Sequence, residues 1–459
     1  MTTRIVPVAG DISRARCKPP VAASAAWEDG DPIGSRLFAE LPGGLELESG
    51  ALLPSVTVAY ETYGTLNAAK DNAILLLHAL TGDAHVAGPA GPGQLTSGWW
   101  EELVGPGKPL DTDRYFIVVP NVLGGCSGTT GPSSRMFGNV SRETAAGNDG
   151  AGDPALPLRE PQEESRGTHA GLWVEFARRN EERRGRERRW GGRFPRLTVR
   201  DQVNAEIGLA HALGLTEFAL VIGASMGGLR ALEWAIMGPE AGIAIRRLAA
   251  IATTAATSAD QIAWAHPQLA AIRLDPGFHN GDYYDLPPDQ GPHKGLGIAR
   301  QIAHTTYRCA PELDYRFQRF PQSGENTFVD GRYAIQSYLD HHGDKLARRF
   351  DANTYIVLTE AIMTHDLGRD RGGTDTALSS IAASTLVVAV DSDRLYSIEQ
   401  ALRISEHIPG ANLEILHSDH GHDGFLIEFD QLDPIIRQFL ASEFSESNLP
   451  ERALAKESY

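Results

Sequence analysis

The chain is poor in several features, and each shortage excludes something. It has three cysteines in 459 residues, Cys17, Cys126 and Cys309, an odd number set far apart. They do not form a disulfide framework, and a reducing compartment is expected. No apolar run approaches the ~20 residues needed to span a bilayer. The opening MTTRIVPVAGDISRARCKPP lacks the continuous apolar centre of a secretory signal. Positive charge is also short: 42 Lys and Arg face 59 Asp and Glu, a formal net charge of −17 at pH 7. A surface that acidic repels phosphate backbones and anionic lipid, so neither nucleic acid nor membrane is expected as the main partner. A locally basic pocket for an anionic substrate remains compatible with that balance. The expectation is a cytoplasmic, globular protein.

What is present is ample apolar material, 42% of residues against 22% charged, enough for a sizeable core. The length suits two or three units of ~150 residues, or one large α/β sheet. Residues 1–36 show no clear periodicity and read as an N-terminal extension, and 446–459 as a C-terminal tail. From Leu37 to Tyr63 apolar and polar residues alternate around Gly-rich turns, the pattern of a hairpin-like strand pair. Short, nearly continuous apolar runs follow: AILLLHAL (73–80), YFIVVPNV (115–122), FALVIGAS (218–225), LAAIATT (248–254), TLVVAVDSD (385–393) and the weaker LEILHS (413–418). Strands buried on both faces read this way. With helical stretches between several of them, they predict an α/β fold with a mostly parallel sheet flanked by helices. Two segments break the alternation. Residues 141–193 are polar, rich in turn formers, and end in a run with eight Arg against three Glu over 178–193. They read as an exposed insertion, the Arg run as a solvated helix more readily than an RNA-binding or docking element. Residues 258–378 have helical spacing and read as a helical lid inserted into a core of 37–257 and 379–445.

The most informative stretch is FALVIGASMGGLRALEWAIMG, where Gly223-Ala224-Ser225-Met226-Gly227 fits G-x-S-x-G between a buried-strand and a helical pattern. A serine on that turn stands exposed above the sheet. The next amide, Met226, points from a helix N-terminus into the same space and suits an oxyanion. A serine hydroxyl needs a base oriented by a carboxylate. In this fold the acid and then the histidine follow on loops after later strands. Asp391-Ser392-Asp393 follows TLVVAV, and His417-Ser418-Asp419-His420-Gly421-His422-Asp423 follows LEIL. Residue chemistry alone leaves Asp391 and Asp393, and His420 and His422, open. His417, His420 and His422 also form H-x2-H-x-H, but no clear fourth ligand accompanies them and a metal is not expected. Leu80, in HALTG after an early strand, is the candidate for the second oxyanion amide. The Gly-rich NVLGGCSGTTGPSS (121–134) is expected to line the same rim. It lacks the Lys of a phosphate loop, and Cys126 reads as a packing residue. His341-His342 reads as surface polar sequence.

Together HALTGDAHVAG, NVLGGCSGTTGPSS, FPRLTVRDQV, GASMGG, RQIAHTTY, SYLDHHGDKLARRFDANTY, HDLGRDRGG, DSDRLY and GHDGFL resemble the homoserine O-acetyltransferases, acyltransferases of methionine biosynthesis with the α/β-hydrolase fold. The resemblance covers about 37–140 and 194–440. It implies that Ser225 is the nucleophile, His422 the base and Asp393 the acid. It also implies acetyl-CoA and L-homoserine as substrates of a ping-pong reaction, no further cofactor, and a homodimer. Arg300 and Tyr307, two helical turns apart on one face, and Asp423 would then bind homoserine, the arginine at its carboxylate and Asp423 at its ammonium. Succinyl-CoA as donor, serine as acceptor, or plain ester or thioester hydrolysis are the alternatives. Two departures from the family pattern stand out: the insertion, and Ser397 where proline often follows DSDRLY.

Overall fold

A computed structural model describes residues 19–136 and 189–442. The Arg-rich run up to 188, most of the 141–193 insertion and the 446–459 tail lie outside the described residues. Eight strands form the main sheet: β1 (Leu37–Leu41), β2 (Val56–Tyr63), β3 (Ala73–Leu77), β4 (Phe116–Pro120), β5 (Leu220–Ala224), β6 (Arg247–Ile251), β7 (Ser384–Val390) and β8 (Asn412–Leu416). Their spatial order is β1-β2-β4-β3-β5-β6-β7-β8. β2 runs antiparallel to both its neighbours, and all other pairings are parallel.

The first five apolar runs form strands where both faces of the sheet are covered, whereas LEILHS forms the edge strand β8 with only Leu416 buried. Along β3, Ala73, Leu75 and Leu77 enter one core cluster while Ile74 and Leu76 enter the other. β7 divides in the same way, Val387 and Ala389 against Leu386, Val388 and Val390. Period-two alternation therefore sends successive side chains to two different cores, so these stretches are nearly continuously apolar. Helix α1 (Val199–Ala212) starts at a capping box, with Thr198 accepting from the Asp201 amide and Asp201 from the Thr198 amide. Helix α2 (Met226–Glu240) follows β5 directly.

The 37–63 strand pair is more elaborate than a hairpin. β1 and β2 pair in antiparallel register, Leu37 opposite Tyr60, but a small separate ladder of Leu45–Glu46 with Leu52–Leu53 fills the connection. The residues before β1 also differ from the expected tail. From 19 onward they pack on the body: Ser24 Oγ donates to Asp351 at 2.8 Å, the Val21 amide donates to Asp289, and Trp27 lies 5.2 Å from Phe38. Likewise 189–193 belong to the body rather than to the insertion, since Arg193 pairs with Asp282 at 2.6 Å.

Between β6 and β7 the chain leaves the sheet and builds six helices: α3 (Ala259–Arg273), α4 (His293–Tyr307), α5 (Ala310–Phe317), α6 (Ala334–Ala347), α7 (Ala352–Met363) and α8 (Thr374–Ser379). α4 packs between α3 and α6. Its approach to α6 depends on Gly343, where a Cβ would stand 2.8 Å from the Gly297 carbonyl. After β7 come α9 (Ile398–His407), then β8 and α10 (Phe429–Ala441). The chain thus carries α4 across the end of the sheet where β5 stops and the loops after β7 and β8 emerge.

Candidate active site

Ser225 sits between β5 and α2 with φ +56° and ψ −122°. A side chain rarely adopts that backbone, and it persists only where the surroundings enforce it. The two flanking glycines show how. A Cβ at Gly223 would fall 2.2 Å from the Gly227 carbonyl oxygen, and one at Gly227 2.0 Å from that of Leu77. The first turn of α2 is therefore pressed against both β5 and the end of β3, which glycine alone allows. The G-x-S-x-G spacing is thus a packing requirement as well as a motif.

The structure brings Ser225 together with His422 and Asp393. His422 Nε2 lies 2.8 Å from Ser225 Oγ, and His422 Nδ1 lies 2.7 Å from Asp393 Oδ2. Nδ1 donates to the carboxylate, which leaves Nε2 as the acceptor facing the serine. The other Asp393 oxygen accepts the Leu395 and Tyr396 amides at 2.8 and 3.0 Å, so the carboxylate cannot swing away. Rings of Tyr396, Phe425 and Tyr307 surround the imidazole at 5.2, 5.4 and 5.7 Å. Burial opposes a charge on His422, yet Asp393, with Asp423 adding to it, holds its pKa above the ordinary value. The turn that carries it is pinned by Gly421 (φ +64°), where a Cβ would touch the Tyr307 carbonyl at 2.8 Å.

The alternatives that residue chemistry left open have other partners. Asp391 pairs with His417 at 2.9 Å in solvent, and His420 Nδ1 faces Arg308 Nη1 at 3.1 Å. The three histidines of H-x2-H-x-H thus point to three different partners, and among the described residues no group of His, Cys, Asp or Glu converges to hold a metal. Cys126 is buried, and burial pushes its thiol up to about 12. His342 departs from the surface reading: it stacks on buried His304 with centroids 4.0 Å apart.

Leu80 is partly buried and packs against the apolar cluster that contains Met226 and Cys126. Among the described residues the amides of Leu80 and Met226 find no acceptor, which leaves both donors available. Arg300 stacks its guanidinium 5.0 Å over the Tyr307 ring, and that ring abuts His422. Asp423 is held above the usual carboxylate range by burial, against the pull of Arg308 and Arg300. Arg308 was not foreseen. Its Nε lies 3.4 Å from Asp423 Oδ2, and its position directly after RQIAHTTY, at the end of the helix that carries Arg300, was the available signal. Two arginines and a carboxylate therefore meet beside the Ser–His pair, a set able to match an ammonium and a carboxylate on one small molecule.

Comparison with known proteins decides the family. A homoserine O-acetyltransferase of Thermobifida fusca is 50% identical over 424 residues, 92% of this chain and 98% of that one. The chain belongs to the homoserine O-acetyltransferase family. Residues 72–429 match the family described as alpha/beta hydrolase fold. Among solved structures, homoserine O-acetyltransferase from Bacillus anthracis aligns with a TM-score of 0.71 at 22% identity, covering 89% of this chain and 99% of that one. Esterase E22 aligns at 0.68 and 24%, covering 88% and 99%. At those identities the two structures speak for the fold shared by this family. Among the described residues no helix is long and apolar enough to cross a membrane.

Proposed function

We infer that the protein transfers the acetyl group of acetyl-CoA to the side-chain hydroxyl of L-homoserine through an acetyl-Ser225 intermediate. The observation that carries this reading is the 2.8 and 2.7 Å chain from Ser225 through His422 to Asp393, set beside Arg300, Arg308 and Asp423 in a chain of this family. Ser225 Oγ attacks the thioester carbon as its proton passes to His422 Nε2, and Asp393 balances the imidazolium. The oxyanion meets the Leu80 and Met226 amides. Collapse expels CoA, whose sulfur takes the proton from His422. Homoserine then binds with its carboxylate at Arg300, over Tyr307, and its ammonium at Asp423. His422 removes its hydroxyl proton, and attack on the acetyl-serine regenerates Ser225 and releases O-acetyl-L-homoserine. Helices α3–α8 act as the lid, and acyl transfer prevails over hydrolysis because the acceptor is held where water would otherwise attack. Acetyl-CoA serves as a co-substrate and no further cofactor is invoked. On the family resemblance the working form is a cytoplasmic homodimer.

The test is thiol release from acetyl-CoA and, in parallel, succinyl-CoA, with and without L-homoserine or L-serine, with the product identified by mass spectrometry. Release that needs acetyl-CoA and homoserine together is expected, and Ser225→Ala should form no acetyl adduct. Release indifferent to any amino acid would instead assign a hydrolase and remove the roles of Arg300 and Asp423.

A further inference from the structure

His78 is the first residue beyond β3 and only 2% exposed. Its ring contacts define its proton without ambiguity. The Val122 amide donates to Nε2 at 3.1 Å, and since an amide cannot accept, the ring hydrogen is on Nδ1. Nδ1 then donates to the carbonyl of the next residue, Ala79, at 2.8 Å. The Gly82 amide donates to that same oxygen at 2.9 Å. Burial, with Arg230 adding to it, lowers the imidazole to about 3, so the ring stays neutral throughout the working range. The preceding peptide is fixed as well. The His78 carbonyl accepts from Nη2 of the wholly buried Arg230 of α2 at 2.6 Å, and Arg230 is ion-paired with buried Glu206.

A trans peptide is planar, with its C=O and N–H pointing in opposite directions. The carbonyl of Ala79 and the N–H of Leu80 belong to one peptide, so two donors on the oxygen dictate where that N–H points. They also polarise it. We propose that His78 is a positioning residue for the oxyanion hole: its Nδ1–H, fixed by the Val122 amide, orients the Ala79–Leu80 peptide so that the Leu80 N–H is preset toward the developing oxyanion. Arg230 ties the same loop to the helix that begins at Ser225, so nucleophile and donor hold one relative placement. This rests on the acyl-serine reading above, with Leu80 as an oxyanion donor.

Two substitutions separate aiming from packing. In His78→Asn the amide nitrogen takes the place of Nδ1 and can still donate to Ala79. In His78→Gln the side chain reaches the Nε2 position, serves Val122 and leaves Ala79 without its ring donor. The single-turnover rates to follow are thiol release from acetyl-CoA and decay of acetyl-Ser225 on adding homoserine. In the glutamine variant both should fall by a similar factor, about 10- to 100-fold, because both steps pass through an oxyanion. KM for each substrate should hold within about threefold, and the asparagine variant should retain most of the rate. Equal rates in the two variants, or losses that track their melting temperatures, would overturn the proposal. A second measurement needs no substitution: 15N shifts of the wild-type ring should report Nδ1–H and stay unchanged from pH 8 to 5. An Nε2–H ring, or one that titrates there, would also sink it. Wild-type protein that forms no acetyl-Ser225 would instead remove the functional reading on which the proposal rests.

Discussion

Two aspartate–histidine pairs stand on the same two loops, built from residues a few positions apart. Asp391–His417 and Asp393–His422 are 2.9 and 2.7 Å long and have the same Nδ1-to-Oδ2 geometry. Their surroundings differ completely. The side chains of the first pair are 37% and 79% exposed, those of the second 0% and 4%. Water screens the outer pair and competes for its hydrogen bond, so its contribution is small. The inner pair has lost its water, and its carboxylate is locked by two backbone amides. Its imidazole has a third partner in Ser225. An aspartate–histidine contact therefore becomes an acid–base relay through what excludes solvent and what waits at the far nitrogen, not through the contact itself.

The sharpest way to break this comparison is to neutralise each aspartate. Asp393→Asn keeps the shape but reverses the hydrogen bond, so that Nδ1 must accept and Nε2 carries the proton toward Ser225. The turnover number should fall about 10⁴-fold, the loss expected when the carboxylate of such a triad becomes an amide. Steady-state kinetics with acetyl-CoA and homoserine would check it. A loss below about tenfold would mean that the inner pair is no more than the outer one.

A smaller effect is expected at Asp423, which tests the charge balance around the inner pair. His422 must be neutral to take the serine proton, and its pKa lies above 6.5 because Asp393 and, more weakly, Asp423 favour its charged form. Activity should therefore rise with pH through a midpoint above 6.5. Asp423→Asn removes one of those negative charges, so the midpoint should move down while the homoserine KM rises. A charged hydrogen bond of ~1.5–3 kcal/mol lost at the acceptor corresponds to roughly 10- to 100-fold in KM. The pH dependence of kcat/KM for acetyl-CoA isolates the first effect from the second. A midpoint that moved upward would contradict the proposed balance.

The same contrast marks what could be read from the sequence. Five of the six apolar runs became strands because burial on both faces leaves a continuous mark in the chain; the weaker LEILHS became the edge strand β8, where only Leu416 is buried. The serine turn was legible because Gly223 and Gly227 have no room for a Cβ. Both loops whose aspartate and histidine line up on Ser225 were expected from their place after strands. The choice between Asp391 and Asp393, however, was not contained in the residues, because burial is set by Tyr307, Tyr396 and Phe425 from separate segments. Only the family resemblance pointed to the buried pair. Contacts across long separations stayed hidden for the same reason. Ser24 looked like part of a loose extension, yet its partner Asp351 is 327 residues away. Arg308 carried a signal only through its neighbour, and His342 looked exposed until α4 brought His304 beneath it.

The smallest expected effect completes the comparison. Asp391→Asn removes the negative charge of the outer pair, but an asparagine oxygen can still accept the Ser418 amide that Asp391 Oδ1 now accepts at 3.0 Å. That hydrogen bond ties the loop after β7 to the loop after β8, so the scaffold beneath the inner pair keeps its shape. With His417 four-fifths in water, the lost attraction should alter stability by about 0.5 kcal/mol or less. Turnover should stay within about twofold of the unaltered protein, as for other surface changes away from a site. Urea unfolding alongside steady-state rates would check both. A large loss of turnover with unchanged stability would mean that the exposed pair communicates with His422 through the loop, and that solvent exclusion is not what separates the two.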